Sequence, residues 1–186
     1  ADEVQTGFGR TGRLWAVEHS GVVPDILIAA KSMAGGLPLA SVTGRAEVMD
    51  APGPGGLGGT FGGNPVSLAA ARAVLAEMET GRLYERAEQI GRTFASRAQG
   101  WRERFPLVGD VRGLGLFAGI EFVQDKKTKE PFDPKLRVNV LVSNSAFAKG
   151  LITYPGGGGA DGVKGDHCLL APPYIITEAQ IDRMVQ

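Results

Sequence analysis

The sequence predicts an α/β protein built in two parts, and three observations lead to this class. Short apolar runs that end in glycine-rich loops lie within residues 1–80, as expected for strands of an α/β layer. Amphipathic helical segments alternate with short strand-like runs over residues 81–186, which is typical of a smaller α+β domain. The composition, 43% hydrophobic and 22% charged, is that of an ordinary globular protein. We therefore expect two domains, 1–80 and 81–186.

The first part is predicted to contain two strands and a long loop. The unbroken apolar run "DILIAA", residues 25–30, carries β-branched side chains and predicts a strand buried on both faces of a parallel sheet. The segment "LASVTG", residues 39–44, predicts a second short strand. Repeated glycines and prolines over residues 49–65 predict a loop that joins this layer to the first long helix.

Capping residues and helical spacing predict the remaining elements. Asn64 followed by Pro65 marks the start of a helix that ends at Gly81. Its predicted apolar face consists of Val66, Ala70, Ala73, Val74 and Met78. Beyond it we expect a helical stretch over 83–105, a strand or hairpin over 108–123, a helix over 136–150, short strands at 151–155 and 168–173, and a final helix capped by Thr177.

Charge and cysteine content exclude several classes of function. Lysine plus arginine equal aspartate plus glutamate, 20 each, so no net field favours nucleic acid or an anionic membrane. The single cysteine, Cys168, excludes an internal disulfide framework, indicates a reducing, cytoplasmic compartment, and lies in an apolar run typical of a core position. His19 and His167 lack companions at metal-ligand spacing, so no metal site is predicted.

Lys31 is the first candidate for chemistry. It follows the apolar run at what we expect to be the carboxyl end of a strand, where open α/β sheets bind their ligands. Desolvation there would favour the neutral amine, which can condense with a carbonyl. The alternative is a lysine at a strand end that simply reaches solvent.

Asp2 and Thr60 are the second and third candidates. Asp2 lies 29 positions before Lys31, about one strand–helix–strand unit, so the two side chains could flank one ligand. Its alternative is a loop acid paired with Arg10 or Arg13. Thr60 lies among glycines that could bring backbone amides and its hydroxyl close to a phosphate; the alternative is a surface loop without a ligand.

Taken together, these stretches resemble the class III pyridoxal-phosphate-dependent aminotransferases, closest to the 4-aminobutyrate aminotransferase-like members. The resemblance rests on "ADEVQTGFGRTGRLWAVEHSGVVPDILIAAKSMAGGLPLASVTGRAEVM" and "GGLGGTFGGNPVSLAAARAVL", in that order. It extends to "VGDVRGLGLFAGIEF" and "LLAPPYIITEAQID" near the other end. It implies fold type I: part of the large mixed-sheet α/β domain in residues 1–80, then a small C-terminal α+β domain. It also implies that the chain is roughly the C-terminal half of a longer enzyme.

The resemblance implies a role for each site residue. Lys31 would form a Schiff base with the aldehyde of pyridoxal 5'-phosphate and later move the substrate proton. Asp2 would pair with the pyridine nitrogen, Val4 would pack against the ring, and Gln5 would hydrogen-bond its phenolic oxygen. Thr60 would reach the cofactor phosphate of the neighbouring subunit in a homodimer or tetramer. The implied substrates are a terminal amine or ω-amino acid and a keto acid.

One departure from the family pattern concerns the substrate carboxylate. Leu169 and Leu170 stand where members that use 2-oxoglutarate carry an arginine, a pattern closer to members that use pyruvate. Lys164 or Arg112 could bind a carboxylate instead.

Two other functions remain open at this point. A racemase, aminomutase or decarboxylase could use the same scaffold and cofactor. A cofactor-free binding protein is the third hypothesis, against which the presence of Lys31, Asp2, Gln5 and Thr60 argues.

Overall fold

A computed structural model describes residues 1–186, and the chain divides into two compact units, Ala1–Ala87 and Glu88–Gln186. No helix combines the length and the apolar character that crossing a membrane would need. The helix α3 (Leu83–Ala98) runs through the division.

The first unit contains a two-stranded sheet and one long helix. Strands β1 (Ile26–Ala29) and β2 (Ser41–Gly44) pair antiparallel, and a single-turn helix, α1 (Ala46–Met49), follows. Two 3₁₀ helices, Ala16–Ser20 and Lys31–Ala34, lie before and after β1. Turns occupy most of residues 50–63, as the glycines and prolines predict.

Strand β1 differs from its predicted setting. It was expected within a parallel sheet and buried on both faces. Ile28 does form one parallel bridge, with Asp2, but the strand as a whole pairs antiparallel with β2, and Ile26 and Ile28 are more than a third exposed. The connection of 11 residues between the strands, 30–40, is shorter than the dozen or more that a parallel crossover requires, so the chain must turn back. An apolar run indicates a strand but not the direction of its partner.

The long helix of this unit, α2 (Pro65–Thr80), begins as its sequence predicts. The side chain of Asn64 accepts hydrogen bonds from the backbone N–H groups of Val66 (2.9 Å) and Ser67 (3.4 Å), and Pro65 occupies the first helical position. The predicted apolar face is correct at Met78, which is buried, and Ala70 and Val74 are half-buried, but Val66 and Ala73 are exposed. Ser67 and Ala71, which were not predicted, are buried instead.

The register of α2 is set by its neighbour. The buried side of α2 packs against the 3₁₀ helix Lys31–Ala34, and small side chains allow the two backbones to approach each other. A Cβ added at Gly35 would lie 3.2 Å from the Val74 side chain. Val66, in the first turn of α2, is 66% exposed.

The second unit is built on a four-stranded antiparallel sheet in the order β3-β4-β6-β5. Strands β3 (Val108–Leu114) and β4 (Phe117–Phe122) form the predicted hairpin. Strand β6 (Asp166–Leu170) pairs with β4 on one side and with β5 (Tyr154–Gly156) on the other.

Helices complete this unit and close its core. They are α4 (Trp101–Arg104), α5 (Val138–Ala148) and α6 (Glu178–Met184). The predicted helical stretch over 83–105 is interrupted between α3 and α4 at Gly100, a residue that disfavours helix interiors. Thr177 caps α6 reciprocally with Gln180, as its sequence predicts. The buried side chains include Ile120, Phe122, Cys168, Leu170 and Ile181.

Candidate active site

Lys31 directly follows the strand β1 and begins a 3₁₀ helix. Ala29, the last residue of β1, is fully buried, whereas the Lys31 side chain is exposed. The backbone of Lys31 has φ +50°, a left-handed conformation that is uncommon for residues other than glycine. Strain of this kind persists where the surrounding structure enforces it, and it concentrates at functional sites.

Asp2 lies beside the same strand. Its backbone forms a parallel bridge with Ile28, in which the Ile28 N–H donates to the Ala1 carbonyl (2.9 Å) and the Glu3 N–H donates to the Ile28 carbonyl (2.8 Å). Asp2 therefore lies on a segment that runs parallel to β1 and beside it, and Lys31 follows the end of β1. The expected proximity of these two segments is present in the structure.

Gln5 joins the two segments through its side chain. The Lys31 Nζ donates to the Gln5 Oε1 at 3.4 Å, across 26 residues of sequence. The Asp2 Oδ1 accepts from the Val4 N–H at 3.0 Å, which closes a tight turn between Asp2 and Gln5. The site thus presents three exposed groups: the carboxylate of Asp2, the amide of Gln5 and the amine of Lys31.

The alternative for Asp2 was an ion pair with a nearby arginine, and Arg13 does not form it. The Arg13 Nη1 donates instead to the backbone carbonyl of Glu18, in the 3₁₀ helix Ala16–Ser20, at 2.7 Å. The Asp2 carboxylate instead accepts from the backbone of its own turn.

Thr60 is the predicted site residue that the chain does not bring next to the others. It lies in the exposed turns of the loop 50–63, and no hydrogen bond joins it to Asp2, Gln5 or Lys31. The glycines around it have open space where a Cβ would be, at Gly58 and Gly59. Residues 51–63 of this loop are therefore all exposed on this chain.

The candidate groups for a substrate carboxylate already have acidic partners. The Arg112 Nη1 lies 2.6 Å from a Glu121 oxygen and 2.9 Å from an Asp110 oxygen. Its hydrogen bond to Glu121 and, to a smaller extent, its hydrogen bond to Asp110 raise the pKa of the Arg112 guanidinium above its ordinary value. Lys164 Nζ lies 3.7 Å from a Glu130 oxygen.

The two leucines at the departure from the family pattern lie on strand β6. Leu169 is half-buried and pairs with Gly119 on β4 and Tyr154 on β5, while Leu170 is buried. Cys168 directly precedes Leu169 on this strand, and it is a core residue, as predicted. It is 1% exposed, and its Sγ lies 3.2 Å from the Ser143 hydroxyl.

Sequence reasoning did not single out Glu3, which is the buried acid next to this site. Its side chain is 2% exposed, although it stands in a polar, glycine-rich stretch that predicts solvent contact. One of its partners, Thr6, is three residues away, but the other, the Val17 N–H, is 14 residues away and no local pattern indicates it.

Comparisons with known proteins identify the family of the chain. The model of the family "Aminotransferase class-III" matches residues 1–186. A protein from Bacillus subtilis named "Probable 4-aminobutyrate aminotransferase" is 42% identical over 182 residues, which are 98% of this chain and 40% of that protein. A leucine/methionine racemase from Thermococcus litoralis is 50% identical over 129 residues, 69% of this chain.

A solved structure gives the same result for the fold. An amine transaminase from an uncultivated Pseudomonas species, in a form bound to pyridoxal phosphate, matches with a TM-score of 0.85 and 33% identity over 98% of this chain and 41% of that one. The predicted fold type I architecture is thereby confirmed, and the chain spans about two fifths of the length of the relatives it matches. The chain belongs to the class III aminotransferase family.

Proposed function

We propose that the chain is the lysine-bearing portion of a pyridoxal-phosphate-dependent aminotransferase that moves an amino group from a terminal amine or ω-amino acid to a keto acid. The observation that carries this proposal is the contact between the Lys31 Nζ and the Gln5 Oε1, with Asp2 on the adjoining parallel segment. Residues 1–80 would then belong to the large cofactor-binding domain and residues 81–186 to the small domain. The buried, unpaired Cys168 thiol supports a cytoplasmic setting.

The donor set fits pyridoxal 5'-phosphate. When bound, this cofactor supplies an aldehyde that combines with amines and a ring that withdraws electrons from the carbon bearing the nitrogen. Lys31 would hold it through Nζ, and the Asp2 carboxylate would accept a hydrogen bond from the protonated ring nitrogen, which would keep the ring cationic. Gln5 accepts from Lys31 through its oxygen, which leaves its amide N–H₂ free to donate to the ring oxygen. Val4, half-buried between them, would pack against the ring.

The same residues would carry the proton transfers. The free amine of Lys31 would act as the base that removes the proton from the substrate carbon bearing the amino group. It would then act as the acid that returns a proton to the carbon on the other side of that nitrogen. The 3₁₀ helix Lys31–Ala34 holds its backbone, and Gln5 holds its amine. Asp2, as a fixed negative charge, stabilises a cationic ring where negative charge develops.

Thr60 would act on a neighbouring subunit. Its loop is exposed and rich in glycine, so its hydroxyl and the nearby amides are free to contact the phosphate of a cofactor held by a second copy. A homodimer, or a tetramer built from dimers, is therefore part of the proposal.

The substrates are proposed from the relatives and from the small domain. The Bacillus relative is named for 4-aminobutyrate, which makes an ω-amino acid the first donor to test. Leu169 and Leu170 offer no charge to a second carboxylate, and Arg112 is already held by Glu121 and Asp110. Pyruvate is therefore the favoured acceptor, and 2-oxoglutarate is the second.

A racemase is the alternative that an observation favours, because one relative carries that name at 50% identity. Both reactions remove the same proton, but only transamination leaves the amino group on the cofactor.

One experiment separates the two functions. The complete enzyme, loaded with pyridoxal phosphate, is mixed with 4-aminobutyrate or with an amino acid in the absence of keto acid, and the visible absorbance is followed. A stoichiometric loss of absorbance that pyruvate restores supports the aminotransferase. Inversion of the amino acid with an unchanged absorbance would establish the racemase instead.

A further inference from the structure

The carboxylate of Glu3 is buried directly between two residues of the candidate active site. Asp2 before it and Gln5 two positions after it have exposed side chains, whereas Glu3 is 2% exposed. A carboxylate is costly to bury unless its oxygens are hydrogen-bonded. Both oxygens of Glu3 are: Oε1 accepts from the Val17 N–H at 2.8 Å, and Oε2 accepts from the Thr6 hydroxyl.

The backbone of Glu3 makes two further contacts that hold the same turn. Its N–H donates to the Ile28 carbonyl of β1 at 2.8 Å, and its carbonyl accepts from the Gly7 N–H at 3.0 Å. Gly7 has no room for a side chain, since an added Cβ would lie 2.7 Å from the Glu3 carbonyl and 2.8 Å from the Trp15 ring. Glu3 therefore joins three pieces of chain: β1, the turn 4–7 and the 3₁₀ helix Ala16–Ser20.

Asp2 and Gln5 have no comparable anchor of their own. Their side chains are exposed, and the contacts they make are with Val4 and Lys31 inside the site. Their direction is consequently set by the backbone between them. That backbone is held by the buried side chain of Glu3 together with the backbone hydrogen bonds of Glu3 to Ile28 and Gly7.

We propose that Glu3 is a positioning residue for the cofactor site, which acts through Asp2 and Gln5 without touching substrate or cofactor. This inference rests on the proposed function, since it assumes that Asp2 and Gln5 bind pyridoxal phosphate. What Glu3 provides is two side-chain hydrogen bonds in a fixed place, to Val17 and to Thr6; its negative charge is not needed for the role.

That distinction makes the conservative variant informative. In Glu3→Gln, the amide oxygen can still accept from the Val17 N–H, and the amide N–H₂ can donate to Thr6, whose hydroxyl rotates to accept. In Glu3→Ala both contacts are lost and the Val17 N–H is left buried without its partner. In Thr6→Ala only the contact with the turn is lost.

The test measures the complete enzyme's dissociation constant for pyridoxal phosphate and the pH midpoint of the bound cofactor's visible absorbance, which depends on the groups around the ring. We expect Glu3→Ala to raise the Kd by about 10- to 100-fold, the range found when supporting contacts behind a bound group are removed, and to shift the pH midpoint. Thr6→Ala should give a smaller change of the same sign. Glu3→Gln should stay within about threefold of the wild type.

Glu18→Ala is the matched control. Glu18 is an exposed acid of the same 3₁₀ helix, and its carboxylate accepts from the Trp15 N–H at 2.8 Å, but it does not contact the turn 4–7. It should leave both the Kd and the pH midpoint unchanged. Circular dichroism and thermal unfolding confirm that each variant is folded, and Thr6→Ala remains informative if Glu3→Ala does not fold.

The outcomes separate this inference from the proposed function. A wild type that binds no pyridoxal phosphate overturns the proposed function itself. A wild type that binds it, together with folded Glu3→Ala and Thr6→Ala variants of unchanged Kd and pH midpoint, overturns the positioning role alone. A Glu3→Gln variant as impaired as Glu3→Ala would show that the charge, and not the two hydrogen bonds, is what matters.

Discussion

The backbone of Asp2 pairs in parallel with that of Ile28, so the acid lies beside the strand that ends two residues before Lys31. This single bridge brings together residues 29 positions apart in the sequence, and Gln5 completes the group by accepting from Lys31. An amine, a carboxylate and an amide are therefore held by two backbone segments that fold within the first unit. The following predictions test this group and the elements that hold it.

Lys31→Ala should abolish covalent attachment of pyridoxal phosphate and lower transamination by about a hundredfold or more, because the variant lacks both the attaching amine and the base. Borohydride reduction followed by mass spectrometry measures attachment. Lys149→Ala, an exposed lysine on the second unit, is the control and should be labelled like the wild type. Labelling of Lys31→Ala at full stoichiometry would remove Lys31 from the site.

Asp2→Asn should lower turnover by about a hundredfold and leave the fold intact. The asparagine oxygen can still accept from the Val4 N–H, which preserves the turn, but a neutral amide no longer stabilises a protonated ring nitrogen. Turnover and urea unfolding are measured together. An active variant would show that the charge of Asp2 is dispensable, whereas an unstable one would show a structural role.

Met78→Ala should destabilise the protein by about 2–5 kcal/mol, because the side chain is 4% exposed at the packed face of α2 and its removal leaves a cavity. Leu68→Ala on the same helix is the matched control: that side chain is 44% exposed and should cost less than about 1 kcal/mol. The free energy of unfolding is obtained from urea titrations. Equal losses at the two positions would contradict the observed register of α2.

Gly91→Ala should destabilise the protein, although alanine is intrinsically favoured over glycine in a helix by about 1 kcal/mol. The added Cβ would lie 2.2 Å from the carbonyl oxygen of Gly115, a backbone atom that cannot move aside. We expect a net loss of roughly 1–3 kcal/mol. Gly100→Ala, where the space is open, should change the unfolding free energy by less than about 0.5 kcal/mol in the same titration.

We expect the Asp125 carboxylate to stabilise the folded chain at neutral pH and to lose this contribution in acid. Its carboxylate accepts from the N–H groups of Thr128 and Lys127, which lower its pKa in the folded chain below the ordinary 3.8. Because the folded state holds the proton less tightly, the contribution is present above pH 3.8 and disappears as the pH falls through the lowered pKa. The stability difference between the wild type and Asp125→Ala should shrink across that window.

Asp125→Asn is the control for this pH dependence. Its side chain still offers an acceptor oxygen but does not titrate, so its difference from Asp125→Ala should stay constant over the same range. A gap between wild type and Asp125→Ala that widens in acid would contradict the assigned sign.

Most element types could be predicted because their signals are local. The side chain of Asn64 and the ring of Pro65 determine the start of α2, and Thr177 determines the start of α6 without help from distant residues. Lys31 and Asp2 became candidates in the same way, from residue type and from position near an apolar run. The roles of Lys31, Asp2, Val4, Gln5 and Thr60, and the domain boundary near residue 80, stay predictions.

Other features depend on partners that the sequence does not name. The buried side of α2 was predicted only in part, at Met78, because burial also depends on the 3₁₀ helix Lys31–Ala34 that packs against it. Arg112 could have been a carboxylate-binding residue until the hairpin placed Glu121 and Asp110 against it. In both cases one contact across the fold outweighs the local pattern.

By itself, the sequence indicated the candidate residues for chemistry and most of the elements that carry them, because residue type and helix caps act within a few positions. The tertiary structure alone decided that β1 pairs with β2 and that Glu3 is buried between Asp2 and Gln5. These outcomes depend on pairing across the chain, because the partner strand of β1 and the Val17 N–H that binds Glu3 come from other segments of the sequence.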